Sequence, residues 1–312
     1  MNSKCVALGI DVGGTSIKYG LIEFDGREVY ALERPTKIGE EDSSVRVTLV
    51  KIIEETIAVA KAMGAITCCI GVGVPGLVSN SNIILTCDNI PELINLPLAD
   101  IVQNSVGLST CIYNDADAAA FSEFQVECQQ GDTALFVSLG TGIGGALYIH
   151  GQAFQGQFGM GGELGVFPMS INGKVQNWED IASTQALLKH YRQRLDPNVY
   201  PDHLIDGHFL VERYVAHDPI AIQCINEFLH YLALGLAGYI NVFNPARVII
   251  GGGFSTAITT FMPALIDHIK HYVIPQAFKS VEIIAAKSGN KAGFKGAALL
   301  ALKHTRSALS IL

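Results

Sequence analysis

Two glycine-rich turns contain the residues of this 312-residue sequence best suited to holding an anion. Asp11-Val-Gly-Gly-Thr15 and Gly140-Thr-Gly-Ile-Gly-Gly145 each lie between two predicted strands. Glycine lets the backbone approach a ligand and direct its N–H groups at negative charge. The pair could therefore hold a polyphosphate, with a hydroxyl from Thr15 and Mg²⁺ on Asp11, directly or through water. Each turn taken alone is equally an ordinary hairpin.

Several carboxylates could act on, or bind, a hydroxyl compound. Asp115 ends a predicted strand and begins a helix, so it either caps that helix or serves as a general base in phosphoryl transfer. Glu163, in a glycine-rich loop, and Glu179 suit the binding of vicinal sugar hydroxyls, although Glu179 could also be a first-turn helix charge. Pro75-Gly76 could offer backbone N–H groups to the same ligand, and Asn89 is a weaker candidate.

The elements that carry these residues follow the order strand–strand–strand–helix–strand–helix, and the order occurs twice. A strand, a glycine turn and a strand at residues 6–22 recur at residues 134–149, which indicates an internal duplication. Gly251-Gly-Gly-Phe-Ser255 ends a later strand, where it could lie against adenine and ribose or simply begin a helix. Two α/β lobes of like topology would place their strand-end loops across one cleft.

We expect two domains. Residues 1–115 are predicted to form a small N-terminal α/β lobe completed by a C-terminal helix at 298–312, and residues 116–297 a larger lobe. No Ser-, Pro- or charge-rich linker separates them, so the boundary follows from topology alone.

Composition excludes several classes of protein. Lys and Arg number 21 against 29 Asp and Glu, and a net charge of −8 does not suit sequence-independent nucleic-acid binding. The most apolar stretches are interrupted before they reach the roughly 20 residues of a membrane span. The first residues lack a signal-peptide pattern. We therefore expect a cytoplasmic protein with neither nucleic acid nor membrane as partner.

Taken together, the motifs resemble the ROK (repressor, open reading frame, kinase) family of sugar kinases. The resemblance rests on segments 9–15, 71–78, 114–116, 139–145, 162–165, 178–183 and 248–253, with 291–298 similar to the family's closing segment. It implies an actin-like and hexokinase-like (ribonuclease H-like) two-lobed α/β fold with duplicated βββαβα units and a central cleft. It also implies a homodimer that uses ATP and Mg²⁺ to phosphorylate a hexose or N-acetylhexosamine.

The resemblance further implies a role for each candidate residue. Asp115 matches the catalytic base. The matches to sugar ligands are Gly76, Asn114, Glu163 and Glu179. The matches to the phosphate and metal site are Asp11, Gly13, Gly14, Thr15, Thr141 and Gly142. Gly252 and Gly253 match the adenosine end of the nucleotide site.

The sequence departs from the family pattern at its zinc motif. The family usually has His after Glu-Leu-Gly and three cysteines before the match to Glu179. Here the first position is Val166, residues 166–182 contain neither Cys nor His, and the seven cysteines have no zinc-ligand spacing. We predict that no zinc is bound and that apolar packing around Phe167 and Trp178 orders this loop. Val166 also removes one hydrogen bond to the sugar, which alters preference more than it abolishes binding.

Three functions are consistent with the pattern. The first is a sugar kinase, which the retained Asp115 and both glycine turns favour. The second is a sugar-sensing repressor, which would carry a helix-turn-helix domain before Asp11, where this sequence has ten residues. The third is a sugar-binding protein without catalysis, with which the altered zinc motif is compatible.

Overall fold

The computed structural model of the chain describes residues 4–36, 44–79, 81–87, 89–129, 131–171 and 173–309. Its contacts divide the chain into two units. Unit 1 comprises residues 1–127, 155–161 and 290–312, and unit 2 comprises residues 128–154 and 162–289.

Unit 1 is built on a five-stranded sheet with helices packed against it. Its elements before the chain enters unit 2 are β1 (Lys4–Val12), β2 (Ser16–Glu23), β3 (Glu28–Pro35), α1 (Val45–Ala62), β4 (Ala65–Val74), α2 (Leu98–Val106), β5 (Thr110–Asn114) and α3 (Asp115–Glu127). The strand order is β3-β2-β1-β4-β5, antiparallel from β3 to β1 and parallel from β1 to β5. Apolar side chains from β1, β2, β4, α1 and α2 form its core.

Unit 2 repeats the plan with additional elements. They are β6 (Ala134–Leu139), β7 (Ile143–Ile149), β8 (Gln152–Ala153), β9 (Pro168–Ile171), β10 (Lys174–Asn177), α4 (Glu179–Ala182), α5 (Thr184–Arg192), α6 (Gly207–Val215), α7 (Pro219–Phe243), β11 (Arg247–Gly251), α8 (Ser255–Lys270), α9 (Pro275–Ser280) and β12 (Glu282–Ala285). Its sheet has the order β12-β11-β6-β7-β8, and β9 and β10 form a separate hairpin. Single 3₁₀ turns lie at Pro91–Leu93, Asp202–Leu204 and Gly289–Lys291.

The predicted duplication is present. Strands β6, β7, β8, β11 and β12 take the places of β1, β2, β3, β4 and β5, with the same pairing directions. In each sheet the three parallel strands end at one edge, where α/β proteins place their ligands.

Helix α10 (Ala292–Leu309) returns the end of the chain to unit 1. It packs so closely on α3 that a side chain at Gly296 would overlap the carbonyl oxygen of Ala118. Because α3 and α10 pack together, unit 1 extends through Glu127, whereas the sequence-based boundary lies at residue 115.

Some elements differ from the sequence-based expectation. The sequence pattern of Asn177–Leu195 predicts a helix, but Ser183 has extended backbone and divides the segment into α4 and α5. The Ser183 hydroxyl accepts the Ala186 N–H at 3.1 Å and caps α5. The β9–β10 hairpin and α9 were not predicted. None of their residues is fully buried, so they carry no clear hydrophobic period.

Helix α7 lies in the core of unit 2. Among the helices of the described residues, it alone is long and apolar enough to cross a membrane, by length and composition only. More than half of its most apolar stretch (56%) is buried, including Ile225, Leu229, Leu232 and Leu236. Core helices of soluble proteins have the same length and composition.

Candidate active site

The carboxyl ends of three parallel strands meet at one edge of unit 1. In the strand pairing, Asp11 of β1 lies opposite Gly73 of β4, and Val74 lies opposite Asn114 of β5. The β1–β2 turn, the turn after Val74 and the start of α3 therefore share this edge. Most of the candidates predicted in the first half of the sequence are thereby brought together.

Asn114 and Asp115 have separate roles at the start of α3. The Asn114 Oδ1 accepts the Asp117 N–H at 3.0 Å, which makes Asn114 the cap of α3, and its Nδ2 donates to the Gly76 carbonyl oxygen at 2.9 Å. Asp115 is the first helical residue, half-buried, and its Oδ1 accepts the Ala116 N–H at 2.8 Å. The capping role that the sequence also allowed for Asp115 thus belongs to Asn114, which in addition ties the Gly76 turn to the helix.

A hydrogen bond from the Thr36 side chain stabilises the β1–β2 turn. The Thr36 hydroxyl donates to the Gly13 carbonyl oxygen at 2.6 Å, and the Gly13 N–H donates to the Ser16 carbonyl oxygen at 2.9 Å. Gly14 and Thr15, at the tip, are exposed. Asn89 is also exposed and adjacent, since a Cβ at Gly14 would lie 3.5 Å from its Cβ. Sequence reasoning missed Thr36, which is 1% exposed and belongs to no motif.

Asp11 occupies a poorly solvated position at the end of β1. Its carboxylate lies against Gly293 in the first turn of α10, where a side chain would overlap the carboxylate. Burial raises the pKa of Asp11 to about 6; the Lys18 ammonium acts in the opposite direction, and the Glu33 carboxylate adds to the increase. A hard oxygen donor of this kind fits Mg²⁺, which takes one or two protein carboxylates together with phosphate oxygens and water.

In unit 2, Glu179 connects the β6–β7 turn to the glycine-rich loop around Glu163. The Glu179 Oε2 accepts the Ile143 N–H at 3.1 Å. It also lies so close to Gly142 and Gly165 that a side chain at either position would strike the carboxylate. The position of the Glu179 carboxylate therefore requires glycine at both 142 and 165, a relationship that sequence spacing alone did not show.

Thr141 and Glu163 are both exposed. Thr141 lies at the tip of the β6–β7 turn. Partial burial of the Glu163 carboxyl group, followed by the nearby Glu179 carboxylate, raises the pKa of Glu163 above its ordinary value. Two carboxylates that lie close enough for one to affect the pKa of the other can accept hydrogen bonds from neighbouring hydroxyl groups.

The turn after β11 lies beside the turn after β6. Gly251 pairs with Ser138, and the backbone of Gly252 lies against Leu139, leaving no room for a side chain. Gly252 has a φ of +87°, and both it and Gly253 are exposed. The second sheet thus presents two bare glycine turns at one edge, a surface on which a flat ring or a phosphate can lie.

A cluster of metal-ligating side chains was not found in the part of the chain that the structure describes. No group of three or more His, Cys, Asp or Glu side chains there is arranged to hold a metal ion. The absence of zinc stays a prediction, to be tested by metal analysis of the purified protein.

The chain is similar to known proteins in sequence and in fold. The model of the ROK family matches residues 7–304. The glucokinase of Thermotoga maritima is 30% identical over 315 residues, covering 95% of this chain and 96% of the relative. An N-acetyl-D-glucosamine kinase of Haemophilus influenzae is 27% identical over 306 residues, covering 94% and 98%. The crystal structure of a ROK family glucokinase from Streptomyces griseus, in complex with glucose and AMPPNP, is similar at a TM-score of 0.73 and 28% identity, covering 96% of this chain and 99% of that chain.

Proposed function

This chain belongs to the ROK family, with its actin-like α/β fold, and we propose that it is an ATP-dependent sugar kinase. The reaction transfers the γ-phosphate of MgATP to a hydroxyl of a hexose or N-acetylhexosamine. Relatives named as glucokinase and N-acetyl-D-glucosamine kinase support both acceptor classes. The resemblance further supports a homodimer in the cytoplasm.

The observation that carries the proposal is the separation of roles between residues 114 and 115. Because Asn114 caps α3, Asp115 is not needed for that bond, and its carboxylate stays half-buried at the strand-end edge. In the proposed step, Asp115 accepts the proton of the acceptor hydroxyl as that oxygen bonds to phosphorus and the bond to ADP breaks.

The other candidates bind and orient. MgATP supplies the phosphoryl group. We assign Asp11 to the Mg²⁺, the turns containing Gly13, Gly14, Thr15, Thr141 and Gly142 to the phosphates, and Gly252 and Gly253 to the adenosine. We assign Glu163 and Glu179 to the acceptor hydroxyls, together with Asn89 and the turn at Gly76 that Asn114 holds.

The decisive experiment measures ADP release with MgATP and a panel of glucose, mannose, fructose, allose, N-acetylglucosamine and N-acetylmannosamine. Asp115→Asn serves as the blank. Sugar-dependent release that the variant loses supports the kinase and identifies its acceptor. No ADP release with any sugar of the panel, together with thermal stabilisation by one of the sugars, would instead favour a sugar-binding protein without catalysis.

A further inference from the structure

Three aromatic residues of unit 2 form a cluster behind the two predicted acceptor carboxylates. The Tyr239 ring centroid lies 5.8 Å from that of Trp178 and 5.8 Å from that of Phe167. Trp178, the only tryptophan of the chain, is 0% exposed. We call Phe167, Trp178 and Tyr239 the aromatic brace. Trp178 directly precedes Glu179 in the sequence, so its position constrains that of the carboxylate.

Hydrogen bonds tie the brace to both carboxylate-bearing segments. The Tyr239 hydroxyl donates to the carbonyl oxygen of Leu164, the residue after Glu163, at 2.8 Å. The Trp178 indole N–H donates to the Tyr231 carbonyl oxygen at 2.9 Å, and the Trp178 backbone N–H donates to the Phe167 carbonyl oxygen at 2.8 Å. Each carboxylate therefore lies one residue from a bond to the brace.

Helix α7 is the common support of these contacts. The indole of Trp178 lies directly on Gly235, where any side chain would overlap the ring. Tyr239 follows Gly235 by four residues and so lies on the same face of the helix. Tyr231, Gly235 and Tyr239 thus fix both segments to one rigid core element.

We propose that Trp178 and Tyr239 are positioning residues that hold Glu163 and Glu179 in the arrangement in which they bind the acceptor. The inference rests on the proposed sugar-kinase function and extends it. A site held in its binding conformation loses less conformational entropy when the ligand arrives. Displacing the brace is therefore expected to weaken acceptor binding selectively, with ATP binding unchanged.

Two glycines of α7 provide a matched pair of variants. Gly235→Ala places a methyl group against the Trp178 ring, whereas Gly238→Ala, three residues on, places it in open space. Both changes favour the helix equally. We expect Gly235→Ala to shift the fluorescence of Trp178 and raise the acceptor KM by about two- to tenfold, with the ATP KM within about twofold. Gly238→Ala should match the wild type. A shifted emission with unchanged acceptor KM would overturn the proposal.

A second pair guards against misfolding of Gly235→Ala. Tyr239→Phe keeps the ring and removes the hydroxyl that bonds Leu164, and Tyr272→Phe removes a hydroxyl that bonds the His230 Nδ1 at 3.2 Å elsewhere in unit 2. We expect Tyr239→Phe alone to raise the acceptor KM, by about two- to tenfold. A purely structural role would lower the melting temperature and leave the KM unchanged, which would contradict the proposal.

Failure of the inference and failure of the proposed function give different results. If the wild type turns over a sugar and both Gly235→Ala and Tyr239→Phe leave the acceptor KM unchanged, the inference is overturned but the proposed function is not. If the wild type binds a sugar without turnover, the kinase assignment fails, and the calorimetric Kd of that sugar replaces KM as the test of the brace. Absence of any sugar binding overturns both.

Discussion

The two sheets repeat one strand order, but their carboxylates come from different places. In unit 1, Asp11 is the penultimate residue of β1 and Asp115 directly follows β5. In unit 2, the residues at the corresponding positions of β6 and β12 are Ser138 and Ala286, and carboxylates come instead from the segment after β8 that contains Glu163 and Glu179.

This difference shows which carboxylates the duplicated fold positions and which an inserted segment positions. The sheet fixes the carboxyl ends of β1 and β5, so carboxylates placed there need little further support. Glu163 and Glu179 lie outside the sheet and depend on contacts of their own, which are the Ile143 N–H and the aromatic brace. We therefore expect the carboxylates of unit 1 to carry the chemistry and those of the inserted segment of unit 2 to bind the acceptor.

The largest effect is expected at Asp115. Asp115→Asn keeps an acceptor for the Ala116 N–H and leaves the Asn114 cap intact, so the fold should persist. We expect kcat to fall at least about a hundredfold, because no group accepts the proton of the hydroxyl. Asp117→Asn removes the same charge from the same helix turn and is the control. Near-normal turnover in Asp115→Asn would remove it from the role of base and place the chemistry elsewhere.

The next effect is expected at Glu179. Glu179→Gln retains an oxygen for the Ile143 N–H but loses the charge that strengthens bonds to acceptor hydroxyls. Steady-state kinetics should show an acceptor KM raised roughly ten- to hundredfold, in line with hydrogen bonds to charged groups. Asp180→Asn, its exposed neighbour on α4, should have little effect. An equal rise in the ATP KM would contradict the separation between chemistry and recognition.

The pKa of Asp11 predicts a dependence on pH in unit 1. As pH falls through about 6, Asp11 takes up a proton, and at limiting Mg²⁺ the apparent metal affinity should fall about tenfold for each further pH unit. Because the pKa of Asp11 in the folded protein lies above the ordinary 3.8, protonated Asp11 stabilises the fold. This contribution to stability is fully present below pH 3.8 and is lost as pH rises through about 6.

Asp11→Asn, which mimics the protonated form, tests both consequences. Without ligand it should melt at a higher temperature than the wild type at pH 8, and the difference should shrink toward pH 4. Activity of the variant should need more Mg²⁺ at every pH. A melting difference that grows toward low pH would have the wrong sign for a raised pKa.

The smallest effect concerns the support of the two glycine turns. In unit 1 the Gly13 carbonyl oxygen is held by the Thr36 side chain, whereas in unit 2 the Gly140 carbonyl oxygen is held by the Gln185 backbone N–H at 3.2 Å. Thr36→Val should therefore reduce the free energy of unfolding by about 1 kcal/mol in urea titrations, because a buried bond is lost. Thr36→Ser keeps the hydroxyl and should lose less; equal losses in the two variants would mean that packing, not the bond, holds the turn.

Local patterns made much of the fold predictable. The strand–glycine turn–strand segments at 6–22 and 134–149 were recognisable because a two-residue period and glycine are local signals. The same signals located the β1–β2 and β6–β7 turns, the strand end at Asn114 and the duplication. They gave no indication of the β9–β10 hairpin, because its short, partly exposed strands have no hydrophobic period.

The sequence by itself determined the residue types at the strand ends and the family they resemble. Only the tertiary structure decided which contacts each residue makes. Asn114 caps α3, Thr36 bonds the turn at Gly13, Gly293 leaves room for the Asp11 carboxylate, and Tyr239 supports the Glu163 segment through Leu164, 75 residues away along the chain. The reason is physical. Strand and turn patterns depend on near neighbours, whereas a cap choice, a raised pKa or a buried aromatic contact depends on groups that folding brings together from distant parts of the chain.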